Sequence, residues 1–448
     1  MNIQKLKLSA VFIGLFLASS LSFGQNNFNF EKLDSLMKEL SIKNKFMGSL
    51  TIRKNDQILY NKAFGFSLIN GKASKKATTD TKYRVGSITK MFTAVMIFQL
   101  VEEHQISLKT KLAAFFPEIP NADKISISNL MNHRSGIHSV TDDSNYLKWN
   151  TKPQTESEMI ARIIAHKPDF TPNEKTAYSN SNFIILGYII EKITRKDYAS
   201  NLQERIANKI GLKNTYYGGR TNLGLNESIS YDYANNEWIP EPETDLSVPH
   251  GAGAIVSTTN DLSSFVTSLF FEKLISRKSL DSMTSMEQDF GRGIFAIPFY
   301  DRKSFGHTGI IDKFASLLSF FPDDSVAIAF CTNELDYNMN DITIGILSIF
   351  YDKPYEIPSL KDIHVDPELL KKYEGVYSSK DIPIKLTIKI MGGKLTGQGT
   401  GQQPFPLEAI NDDEFTFAQA NITIRFMKGK DELTLKQNGA DFILSKEK

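Results

Sequence analysis

Ser87-Ile-Thr-Lys90 sets a hydroxyl and an amine three residues apart, where a turn-rich stretch gives way to an apolar helix reaching Leu100. Residues three apart share a helix face, so the two groups can meet. A serine hydroxyl attacks a carbonyl well only when a neighbouring base takes its proton, and a desolvated lysine can be that base. The pair points to an acylating serine hydrolase. Ser35-Leu-Met-Lys38 and Ser445-Lys-Glu-Lys448 match the same pattern. The first falls inside an amphipathic helix and the second in a charged tail, so both read as solvated surface.

An acyl-transfer site also needs a proton donor for the leaving group, an oxyanion hole and a means of holding substrate. Two segments could supply them. Tyr178-Ser-Asn180 lies in a polar loop before the apolar run from Phe183. A tyrosine in that loop, beside a lysine ammonium, is expected to have a lowered pKa and to shuttle protons. Asn180 can offer its amide to a substrate carbonyl or to the lysine. Ser and Asn also cap helices, and Tyr233-Ala-Asn235 repeats the spacing, so the segment also reads as a simple cap. Phe305-Gly-His307-Thr308-Gly309-Ile310 precedes two alternating strands. Its small residues would let a substrate lie along the backbone, with the Ile310 N–H as an oxyanion donor. His307 reads as a cation or hydrogen-bond donor for a substrate carboxylate, or else as an ordinary strand-end side chain.

The elements that must position these groups are legible in outline. Residues 29–47 read as a helix with Phe30, Leu33, Leu36, Met37 and Leu40 at helical spacing. Residues 48–53 and 57–65 alternate around Lys54-Asn55-Asp56 as a hairpin. A largely helical stretch runs to about residue 215, a helix covers 259–274, and strands are expected at 303–308, 314–321 and 325–332. This order predicts an α/β fold, a three-layer α/β/α sandwich on one antiparallel sheet with a helical lobe. Pro354, Pro358 and Pro367 punctuate a charged linker. Beyond it, short strands divided by Gly392-Gly393, Lys428-Gly429 and Asn438-Gly439 predict a small all-β barrel. The divisions expected are 1–24, 25–355 and 361–448.

With 448 residues the chain exceeds what one core usually serves. A net charge of +1 offers no field for nucleic acid or anionic membrane. Seven histidines and one cysteine show no metal-ligand spacing, so neither metal nor cofactor is expected. Lys5 and Lys7, the apolar run Leu8 to Leu21 and the small-residue exit at Gly24 read as a signal peptide. The run is short for a bilayer span of about 20 residues. The expected destination is the bacterial periplasm or exterior, with no stable membrane span in the mature chain. Cys331, in an apolar strand pattern, reads as a buried structural thiol.

Ser-x-x-Lys, Tyr-x-Asn and His-Thr-Gly in this order resemble the penicillin-recognising serine hydrolases: class C β-lactamases, D-Ala-D-Ala carboxypeptidases and class VIII esterases. The resemblance spans about residues 30–350 and includes 130–136, 186–191 and 252–262. The segment from Tyr373-Glu-Gly-Val-Tyr377 looks like the lipocalin-like module appended to bacterial members. The resemblance makes Ser87 the nucleophile, Lys90 its base and Tyr178 the proton shuttle. It makes Asn180 a substrate-amide contact, and His307 with Thr308 and Gly309 a carboxylate-binding strand. The Ser87 and Ile310 N–H groups become the oxyanion hole, and His133 and His138 take structural roles. His307 stands where β-lactamases carry lysine, which favours peptidase- or esterase-like relatives. Ile310 stands where a small residue is common, which implies a narrower or more apolar edge. The implied activity is hydrolysis of small amides or esters, including D-amino-acid peptides and β-lactams. The alternative is a non-turnover sensor of cell-wall peptides in the same pocket. Trp149 and Arg292 are expected at the substrate rim.

Overall fold

The computed structural model describes residues 28–447 apart from 235–236, 289, 335, 359–364, 381, 392–393, 402–403, 418–421 and 438–439. The signal-peptide expectation lies outside the described residues. The larger, N-terminal part is built on a six-stranded antiparallel sheet. Its order in space is Phe295–Ala296, Phe305–Ile311, Phe314–Phe321, Val326–Thr332, Gly48–Lys54 and Gln57–Phe64. The N-terminal hairpin therefore joins the C-terminal strands, with Gly48 opposite Thr332.

Both faces of this sheet are covered, which explains why its strands read as continuous apolar runs rather than clean alternation. Along Val326–Thr332, Val326, Ile328 and Phe330 enter the core under helices Phe30–Ile42 and Met339–Phe350. Ala327, Ala329 and Cys331 enter the larger core under Thr89–Glu102 and Thr259–Phe270. This period of two is the pleat itself. Cys331 is fully buried and its thiol is pushed up by that burial.

Thr89–Glu102 is buried without interruption from Thr89 to Leu100. A helix apolar all round belongs at the centre, and this one is wrapped by the helical lobe. The first helix ends at Ile42 rather than running to residue 47. Asn44 takes a left-handed conformation (φ 54°) and the Lys45 N–H returns to the Leu40 carbonyl at 2.7 Å, a Schellman-type stop. The first strand of the last three is Phe305–Ile311, two residues later than expected and continuing through Ile310.

After residue 364 the helix Pro367–Tyr373 leads into a nine-stranded, nearly closed antiparallel barrel. Its two edge strands, Phe405–Pro406 and Glu408–Ala409, are neighbours in sequence, which brings the edges together. Tyr373 of the helix stacks on Phe426 at 3.9 Å. Lys394–Gly399 and Ala440–Lys446, absent from the sequence reading, are strands of this barrel. Glycines and charged residues hide their alternation. No helix among the described residues is long and apolar enough to cross a membrane.

Candidate active site

Ser87 sits in a single 3-10 turn, Gly86–Ile88, that runs into the central helix at Thr89. Its position at the helix start turns the positive end of the dipole toward the Ser87 region. Gly86 is left-handed (φ 51°) and lies so close to the sheet that a Cβ would come 2.9 Å from the Ile310 nitrogen. Glycine is the residue that meets both demands. Gly309 makes the reciprocal approach: a Cβ there would meet the Val85 carbonyl oxygen at 2.0 Å and the Ser87 nitrogen at 3.0 Å. The two glycines thus bring the Ser87 and Ile310 backbone amides to one place, as an oxyanion hole requires.

Lys90 is fully buried, and that burial drives its amine far below the ordinary lysine value. Its Nζ lies 2.7 Å from Asn180 Oδ1, 2.8 Å from the Ala252 carbonyl oxygen and 2.9 Å from Ser87 Oγ. A neutral amine has two N–H donors and one lone pair. Asn180 Oδ1 and the Ala252 carbonyl only accept, so they take the two donors. In that neutral form the lone pair is left for the Ser87 hydroxyl to donate into. Geometry and burial together place the Lys90 amine against Ser87 Oγ.

The turn carrying Ala252 is itself clamped. Thr93 Oγ1 donates to the Gly251 carbonyl at 2.6 Å, and Gly187 packs against His250 so tightly that a Cβ would lie 2.5 Å from its ring. His250 holds a left-handed backbone (φ 37°) with its imidazole buried, driven down to about 3 and so neutral.

Tyr178 donates its phenol to Ser87 Oγ at 2.8 Å. The expectation of a lowered tyrosine pKa is corrected here: the groups packed around Tyr178 exclude water and push it up. Lys175 is exposed and lies over Phe170, so it brings no charge to the phenol. Tyr178 is a neutral hydrogen-bond donor, flanked by Lys90, whose Nζ is 5.0 Å from its ring centre. His133 supports the loop, its Nδ1 accepting from the Ser179 N–H at 3.1 Å while its ring packs on Tyr178 at 4.5 Å. Asn180 opens helix Asn180–Thr194, and its Nδ2 donates to Thr141 Oγ1 at 2.9 Å, which aims Oδ1 at Lys90.

Strand Phe305–Ile311 forms the other wall. On this strand, Phe295–Ala296 reaches Gly306 and Phe305 and goes no further. From His307 to Ile311 no described strand covers its outer edge, and the Gly86–Ile88 turn lies beside it. His307 is buried and that burial drives it down to about 3, so it is neutral and not a cation. Its Nδ1 faces the Thr308 carbonyl, an acceptor, so that nitrogen carries the proton. Nε2 is buried without a partner. Thr308 and Ile310 are exposed, Ile310 by 57%.

Other sequence candidates go elsewhere. Ser35 and Lys38 are exposed on the first helix, and Ser445 is exposed on the last barrel strand. Tyr233 packs on Trp238 in a hairpin, and Asn235 is outside the described residues. The rim expected of Arg292 and Trp149 does not form. The Arg292 guanidinium is bound by Ser128, the Ser282 carbonyl and Glu287, while Trp149 is buried beneath Arg162 at 3.9 Å. His138 pairs with Asp169 at 2.9 Å, away from Ser87's partners. Thr141, His133 and the Ala252 carbonyl escaped the sequence reading as site groups. A backbone carbonyl leaves no side-chain signal, though Ala252 lies in one of the stretches that resemble the family. Among the described residues no cluster of three His, Cys, Asp or Glu could hold a metal.

The family model described as Beta-lactamase matches residues 33–347. The chain belongs to this family. It is 23% identical over 286 residues to teichoic acid D-alanine hydrolase of Staphylococcus aureus, covering 61% of this chain and 70% of that one. A D-stereospecific amidohydrolase from Streptomyces sp. shares 25% identity at TM-score 0.63, covering 72% of this chain and 98% of its own. The octameric penicillin-binding protein homologue from Pyrococcus abyssi aligns at TM-score 0.65 and 22% identity. It covers 92% of this chain and 99% of its own, reaching into the barrel. Membership in this family makes the protein a serine hydrolase of the β-lactamase type.

Proposed function

We propose that the protein is an exported hydrolase that forms an acyl-enzyme on Ser87 and passes the acyl group to water. Residues 25–355 form the hydrolase unit and 361–448 the barrel. Its substrates are small amides or esters, of the D-amino-acid peptide, ester or β-lactam kind. The carrying observation is the buried Lys90 amine, whose Nζ lies 2.9 Å from Ser87 Oγ with Asn180 Oδ1 and the Ala252 carbonyl as its other partners. In acylation Lys90 takes the Ser87 proton, Ser87 Oγ bonds to the carbonyl carbon, and the Ser87 and Ile310 amides receive the oxyanion. Tyr178, hydrogen-bonded to the same oxygen, hands a proton to the departing nitrogen or oxygen. Water then repeats the sequence in reverse. Two relatives' names, an amidohydrolase and a D-alanine hydrolase, support the choice of substrate class. The basic and apolar N-terminal segment supports export.

Intact-mass spectrometry after incubation with a fluorophosphonate or a penicillin tests the reading. The wild-type chain gains one adduct, and Ser87→Ala gains none while melting at the same temperature. A labelled Ser87→Ala protein overturns the assignment. Steady release of product from an ester supports an enzyme; a single stoichiometric burst indicates the cell-wall-peptide sensor instead.

A further inference from the structure

A cleft of about 480 Å³ opens beside the edge strand, next to Ser87's partners but not including them. Its walls are mostly apolar: Phe290, Phe295, Ile297, Leu317 and Met339, with Thr308 and Asn340 supplying polar groups. That volume falls within the roughly 300–1,000 Å³ of small-molecule sites.

The cleft's side of the site is defined by shared residues. Phe290 and Phe295 line the cleft and also flank the tyrosine, their ring centres 6.4 and 6.2 Å from that of Tyr178. Phe295 packs on His307 at 4.2 Å. The opposite flank of Lys90 is filled by Asn180, tied to Thr141. Thr308, whose side chain is exposed, belongs both to the lining of the cleft and to the edge strand beside the Ser87 turn. We infer that this cleft is a leaving-group pocket, and that the enzyme prefers esters and amides whose departing alcohol or amine carries an alkyl or aryl group. The inference rests on the acyl-enzyme reading above and narrows its substrate class.

The step balances as follows. The Ser87 Oγ–acyl bond forms and the acyl–oxygen bond to the alcohol breaks. The Ser87 proton passes to Lys90, Tyr178 gives its phenol proton to the leaving oxygen, and the Lys90 ammonium returns a proton to the phenolate, so both groups end as they began while the apolar chain of the alcohol occupies the cleft.

A series of acetate esters of methyl, butyl, hexyl and octyl alcohol tests this, because chain length barely alters the intrinsic leaving ability of these alcohols. In the wild-type enzyme kcat/KM should rise about threefold to fourfold per added methylene until the cleft is full. Asn340→Trp places an indole over the cleft from the first turn of helix Met339–Phe350. Its octyl-to-methyl ratio of kcat/KM should fall toward one. The ratio is internal to each protein, so partial unfolding cancels. A flat series in the wild-type enzyme, or an unchanged ratio in Asn340→Trp, overturns the pocket. A parallel series of methyl esters with lengthening acyl chains should respond alike in both proteins, and a flattening there would assign the cleft to the acyl group instead. Hydrolysis by Ser87→Ala, or of none of the esters, defeats the acyl-enzyme reading itself. Methyl acetate turnover without any gain from length defeats only the pocket.

Discussion

Two regions meet at Ser87 and are built on opposite terms. On the Lys90 side the polar contacts close on one another: Lys90 has three partners, Asn180 is held by Thr141, and Thr93 holds the next carbonyl of the Ala252 turn. On the sheet-edge side they are left open. Thr308 and Ile310 are exposed, and a cleft adjoins the strand. On the proposed mechanism, the difference separates the residues that move the Ser87 proton from those that meet substrate.

The sharpest way to break this contrast is Lys90→Met. We expect kcat/KM to fall on the order of 10³–10⁴-fold, since an activated serine loses its base. The wild-type rate should fall on acidification as Lys90 becomes an ammonium and its lone pair disappears, and this acid limb should vanish from the residual activity of the variant. Stability carries the same sign. Lys90 binds a proton less readily in the fold than in the unfolded chain, where its value is 10.5. Folding therefore gains stability as pH rises toward 10.5 from the depressed folded value. Urea melts of Lys90→Met across pH should show a shallower slope; an unchanged slope would contradict a neutral buried amine.

Tyr178→Phe keeps the ring against His133 and removes only the donor. A loss of about 10²–10³-fold, larger for substrates with poor leaving groups, is expected from a series of aryl and alkyl esters. Equal losses across the series would remove Tyr178 from leaving-group protonation. Gly309→Ala tests the seam between the regions, because its methyl would collide with the Val85 carbonyl. Pushing the strand from the Ser87 turn should lower kcat on the order of 10²-fold with an intact far-ultraviolet spectrum, as expected when an oxyanion donor is displaced.

The smallest effect belongs to the open side. His307→Gln should lower kcat/KM by no more than about tenfold, mainly through KM, because the imidazole is neutral and does not touch Ser87. Its folded value near 3 lies below the ordinary 6.5, so its stability contribution is present above 6.5 and lost as pH falls toward 3. The variant should resist acid unfolding better than the parent while keeping the wild-type acid limb of activity. A shifted limb would move the titration from Lys90 to His307.

Much of the catalytic geometry was legible because it depends on short spacings. Ser87 and Lys90 are one helical turn apart, and the three motifs stand in chain order on a turn, a helix start and a strand. Charge states were not legible. The sequence reading lowers the Tyr178 pKa and allows His307 a cation, whereas burial opposes both charged forms. Burial is set by everything packed around a group, including Phe290 and Phe295, more than a hundred residues from Tyr178 in the chain. Arg292 and Trp149 failed as rim residues for the same reason: nothing local reveals that Glu287, Ser128 and Arg162 occupy them.

By itself the sequence determined the layered α/β architecture, the barrel after the proline-punctuated linker, and which serine of three has a lysine with chemical company. Pattern and spacing suffice there, because pleat and helix periods are local properties of the backbone. Only the tertiary structure decided that Lys90 is buried and pushed well below its ordinary value, that the Ala252 carbonyl and Thr141 complete its surroundings, and that a cleft lies beside Thr308. Those depend on desolvation and on contacts between segments far apart in the chain, and no local pattern encodes how much water the fold removes.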